Sequence, residues 1–157
     1  MRLDPEASAI EIFEKMSKSD REIYGSPKFL LEKDSYEDLP AFLLHHCLNE
    51  DPSQYSILDI NCSYAPQSVD FTNAGFEQYI GVDPNVDHFI CEDNPKATFY
   101  REDFRTFINR RVVQMGIDPQ RTFVLMMHIN PIEVRMSRED FQAYICYRKM
   151  FPHIIQL

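Results

Sequence analysis

From residue 55 onward the chain alternates short apolar runs with helical patterns, and no other feature constrains its fold as much. Residues 55–60, 78–82, 97–100, 122–127 and 152–157 read as strands, and 122–127 is the most apolar of them. Residues 66–74 form a short helical pattern closed by Gly75. A longer one opens at Asp103 as cap and carries Phe104, Phe107, Ile108, Val112 and Met115 at helical spacing. It ends at Gly116, where a left-handed stop is wanted. Ser137-x-x-Asp140 resembles a capping box ahead of a last helix that reaches about Lys149. Strands and helices in alternation require right-handed crossovers, hence a parallel sheet covered on both faces.

Residues 1–54 read differently, as a helical cap. Asp4-Pro5-Glu6 is a helix start, followed by Ala9, Phe13 and Met16 on one face. Tyr24-Gly25-Ser26-Pro27 is a turn. A second helix is expected from about Ser35 to Leu48, with Pro40 tolerable only inside its first turn. With 157 residues in all, the chain fits one domain, a helical cap over 1–54 and a core over 55–157.

Composition narrows the function classes. The formal charge of −9 is uneven, −6 over residues 1–54 and −3 over the rest. An acidic surface disfavours nonspecific binding to nucleic acid or anionic lipid. The cluster Arg101, Arg105, Arg110 and Arg111 is the local exception, read here as a solvated helix face. No apolar run approaches the roughly 18–20 residues that span a bilayer, and no secretory signal opens the chain. Cys47, Cys62, Cys91 and Cys146 lie far apart without metal-site spacing, as do the five histidines, so reduced thiols in a cytoplasm are expected.

In parallel α/β sheets, ligands bind beyond the carboxyl ends of the strands, so the residues just after each strand are the ones to read. They are Asp59-Ile60-Asn61-Cys62-Ser63-Tyr64-Ala65, then Gly81-Val82-Asp83, then Arg101-Glu102-Asp103-Phe104, then His128-Ile129-Asn130-Pro131. At these residues the chain resembles the class I S-adenosylmethionine-dependent methyltransferases, over about residues 36–157. The family's first strand ends in Leu-Asp and a glycine-rich turn, and its second closes on an acidic residue, at an interval like the 24 residues from Asp59 to Asp83.

The resemblance implies a Rossmann-like three-layer sandwich, its strands numbered from residue 55 in the order 3-2-1-4-5, preceded by N-terminal helices. It implies S-adenosylmethionine as cofactor, held by Asp59, Asn61, Ser63, Ala65, Asp83, Asp103 and Phe104. Asp83 would accept both ribose hydroxyls, and Asp103 and Phe104 would address the adenine. On the substrate side, His128 is a candidate base and Asn130 a candidate grip on an amine. Each also reads as structure, His128 as a strand-end histidine and Asn130-Pro131 as a turn. Tyr64 either closes over the cofactor or packs under the turn.

Two departures from the family pattern keep a second reading open. Asn61, Ser63 and Ala65 occupy the three positions that are glycine in the family, placing side chains where backbone should meet ligand. The family also continues past its fifth strand, whereas this sequence stops at Leu157. A short apolar strand left at an edge favours pairing, so a homodimer through that strand is expected. The two readings are a methyltransferase acting on a small molecule or protein, and a non-catalytic interaction or regulatory module on the same fold.

Overall fold

A computed structural model of the chain describes residues 29–32, 38–46, 51–126 and 137–156. The elements in chain order are β1 (Phe29–Glu32), α1 (Leu39–His46), β2 (Ser56–Ile60), α2 (Ser68–Asn73), β3 (Gln78–Val82) and β4 (Ala97–Tyr100). A composite helix α3 (residues 104–114), β5 (Thr122–Met126), α4 (Arg138–Met150) and β6 (His153–Gln156) follow. Single 3-10 turns at Pro52–Gln54 and Pro119–Arg121 lead into β2 and β5, each opened by an aspartate, Asp51 or Asp118, that caps it. Pro40 falls in the first turn of α1, where its missing N–H costs no helix bond.

The strands form one sheet in the order β1-β6-β5-β2-β3-β4, and every pairing is parallel. The five strands expected from residue 55 therefore stand in the expected order 3-2-1-4-5. Side chains alternate across the sheet and divide the core in two. Leu58, Ile60, Ile80, Val82, Val124, Met126 and Ile154 face Phe107, Ile108 and Val112 of α3 and Tyr144 and Tyr147 of α4. Ile57, Tyr79, Phe123, Leu125 and Ile155 face Leu39 and Leu43 of α1 and Phe71 of α2. This is the three-layer, Rossmann-like arrangement.

Two helix starts are as read from sequence. Asp103 Oδ1 accepts from Thr106 N at 2.6 Å, and Ser137 Oγ accepts from Asp140 N at 3.1 Å. Gly116 takes φ +65° just after α3. Within α3, however, Phe107–Arg111 is a π-helical turn, with Val112 N–H donating to Phe107 O five residues back.

The largest difference lies in the N-terminal third, which contributes a strand as well as a helix. β1 pairs with β6 from Phe29↔His153 to Glu32↔Gln156. β6 is thus an interior strand, and the edge on which a homodimer was expected is occupied by the chain's own residues 29–32. The expected helix over residues 4–16 and the turn at 24–27 lie outside the described residues.

Candidate functional site

The carboxyl ends of β2, β3 and β4 bring part of the expected constellation together. After β2, Asn61, Ser63 and Ala65 have φ of +56°, +57° and +57°. These are the three positions at which the resemblance expects glycine, and the backbone keeps a glycine-like conformation without it. A left-handed residue with a Cβ costs roughly 1–2 kcal/mol, less for asparagine. The strain is therefore repeated along five residues, and something nearby must hold it.

Asp83, at the end of β3, is that holder. Its Oδ2 accepts from Ser63 N at 2.9 Å, in the middle of the turn, and its Oδ1 accepts from Asn85 N at 2.8 Å. One carboxylate, 7% exposed, thereby fixes both the turn after β2 and the start of the loop after β3. Charge-assisted bonds of this kind are about twice as strong as neutral ones. Cys62 N–H also donates to Val82 O at 3.2 Å, extending the β2–β3 pairing into the turn.

Asp59 is placed elsewhere. It lies one layer down, 2% exposed, with its Oδ2 accepting the Tyr79 hydroxyl and its Oδ1 buried without a partner. Burial pushes its pKa from 3.8 up to about 7; the Tyr79 bond pulls the other way, and the Asp83 charge adds a smaller upward push. Burial also raises the Cys62 thiol, with Asp59 and Asp83 adding to it. Opposite Asp59 stands Gly81, where a Cβ would come within 3.0–3.1 Å of Phe99, Cys62 and Tyr79. This buried group of Asp59, Tyr79 and Cys62 supports the turn from below. Sequence reasoning missed Tyr79, whose only signal was its place one strand over from Asp59.

The remaining expected residues divide as follows. Ala65 is fully buried with its methyl in the core, Asn61 is half-buried and Ser63 is exposed. Asp103 is occupied as the cap of α3. Phe104 is half-buried against the core, its ring 6.3 Å from that of Tyr147, whose hydroxyl donates to Phe104 O at 2.9 Å. His128 and Asn130 lie outside the described residues.

Tyr64 does not pack under the turn: it is 44% exposed, with its ring 5.0 Å from that of His88. Its carbonyl accepts from Ile90 N at 2.7 Å, so the loop after β3 folds back onto the turn after β2. His88 in turn has Nδ1 2.8 Å from Asp87 Oδ1.

Three of the four clustered arginines are paired with acids: Arg101 with Glu92, Arg105 with Asp140 and Arg111 with Glu102, at 3.6, 3.7 and 2.8 Å. These pairings reduce the positive charge that this cluster offers to a phosphate backbone. Three clefts lined by described residues, of about 470, 450 and 360 Å³, contain none of the expected cofactor residues. The largest runs along β4 beside Phe89 and Phe99. No group of three or more His, Cys, Asp or Glu among the described residues is placed to hold a metal ion. None of the described helices is long and apolar enough to cross a membrane.

The fold and the rim of its sheet define the class: an α/β protein with a Rossmann-like parallel sheet. Compared with protein-family models, curated proteins and solved structures, the chain matches none of them.

Proposed function

We propose that this chain is an S-adenosylmethionine-dependent methyltransferase-like protein that takes the cofactor's ribose at Asp83, beside the turn formed by residues 61–65. One observation carries the reading: three left-handed residues at alternate positions meet a buried carboxylate at their centre. Strained backbone of this kind persists where surrounding structure over-determines it, and such places cluster at ligand sites.

The residues fit the group chemically. Each Asp83 oxygen accepts one backbone N–H and keeps a second lone pair, so the carboxylate can still receive the two hydroxyls of a vicinal diol. The exposed Ser63 hydroxyl adds a donor and an acceptor at the mouth of the turn, and Ala65 turns inward and leaves it clear. When bound, the cofactor supplies an electrophilic methyl group on a sulfonium. The chain's own part is to hold it and to align an acceptor, and such alignment can supply much of the acceleration of a transfer. The acceptor is a small molecule or a protein, since net acidity and paired arginines disfavour nucleic acid.

A non-catalytic module is the second reading, and it too has its observation: both Asp83 oxygens already serve the fold, and no glycine opens the turn. Calorimetric titration with S-adenosylmethionine and S-adenosylhomocysteine separates the two. Micromolar binding that weakens at least tenfold in Asp83→Asn is the expected result. No heat and no thermal shift at millimolar ligand overturns the cofactor reading and leaves the module.

A further inference from the structure

The structure commits the two residues expected to address the adenine. Asp103 spends a carboxylate oxygen on the Thr106 N–H at 2.6 Å, and without that bond the first turn of α3 loses its cap. Phe104 packs against the core beside Tyr147, and its carbonyl takes the Tyr147 hydroxyl. Part of each side chain is thus already engaged by α3 and the core.

Two exposed rings, Tyr64 and His88, lie close to Asp83 along the chain. Tyr64 follows Ser63, whose N–H is bonded to Asp83, so its backbone lies one residue from the carboxylate. His88 is five residues past Asp83, and the Ile90 N–H bond to Tyr64 O returns that loop to the turn. The two rings meet at 5.0 Å with 38° between their planes, Tyr64 44% exposed and the His88 side chain 62% exposed. His88 Nδ1 lies 2.8 Å from Asp87 Oδ1, a contact that favours the tautomer with its proton on Nδ1 and Nε2 as acceptor. Two adjoining exposed rings offer a π-face on which a base can stack.

The geometry points to Tyr64 and His88 as the platform for the purine base of an adenine nucleoside whose ribose is held at Asp83. The inference rests on the cofactor reading above and changes where the base lies: over the Tyr64–His88 rings, on the side of the turn, rather than against α3. The ring of Tyr64 supplies the stacking face, and His88 supplies a second ring and a nitrogen at its edge.

Adenosine and S-adenosylhomocysteine are the probes, titrated calorimetrically into the full chain and its variants. Tyr64→Leu and His88→Leu should each weaken both probes roughly fivefold to a hundredfold, the range that base stacking contributes. Tyr64→Phe, which keeps the ring, should restore affinity to within about twofold, and so should Asp103→Asn. Both rings are exposed, so these variants keep the fold, checked by unchanged thermal unfolding. If wild type binds and Tyr64→Leu binds equally well, the platform is overturned and the cofactor reading stands. If Tyr64→Leu loses binding while Asp83→Asn keeps it, the ribose assignment fails and the platform stands. If wild type binds neither probe at millimolar concentration, both fall.

Discussion

Ser63 is exposed, has φ +57° and gives its N–H to Asp83, so its side chain contributes strain and little packing. Ser63→Gly should therefore stabilise the fold by about 1 kcal/mol, read from the urea midpoint at constant slope. Ala65→Gly removes the same kind of strain but also a buried methyl worth about 0.8 kcal/mol, and the two nearly cancel. Asp59 gives a residue-scale prediction in pH. Its folded pKa lies above the ordinary value, at about 7 against 3.8, so between those values the folded state binds a proton that the unfolded state does not. Stability from this group is complete below about pH 4 and is lost as the pH rises to 7. At 1.36 kcal/mol per pH unit the loss is on the order of 4 kcal/mol. Asp59→Asn should flatten that slope, so that urea midpoints at pH 5 and pH 8 draw together. A slope unchanged in the variant would place the titrating group elsewhere.

At the scale of elements, the sequence was legible where a strand's neighbours come from the same alternating pattern. All five strands from residue 55 and the caps of α3 and α4 stand within one or two residues of where their apolar runs and capping side chains put them. β1 was not legible, for a physical reason. Phe29-Leu30-Leu31-Glu32 is an apolar run too short to distinguish strand from helix, and its strand character comes from β6, at the far end of the chain. The π-helical turn in α3 left no mark either, since Phe107, Ile108 and Val112 keep spacing that suits both helix types. In the site, Asp83 and the turn were legible because a chain position fixes a strand end. The tie of Asp59 to Tyr79 and the burial of Phe104 beside Tyr147 were not, because each depends on a partner 20 or 43 residues away.

At the scale of the molecule, β1 decides which edges the sheet presents. Among the described strands, β1 and β4 end the order, and β6, whose Ile154 and Ile155 are fully buried, is enclosed. Removing residues 1–33 would leave β6 with one side unpaired. The truncated protein is expected to self-associate in a concentration-dependent way by sedimentation, while the full chain shows no association through β6. Equal association of both forms would assign any dimer to another surface.

The pairing of β1 with β6 also governs the order in which the fold can be made. On a ribosome, residues 29–32 emerge early and find no strand to join, because their partner at 153–156 is synthesised last of the described elements. Until then β5 has its outer side open, and the growing chain holds an incomplete parallel sheet with apolar rims. Contacts so distant in sequence form slowly and leave a chain that still lacks β6 exposed to aggregation, so a chaperone's hold on this sheet ends only once residues 153–156 have joined it.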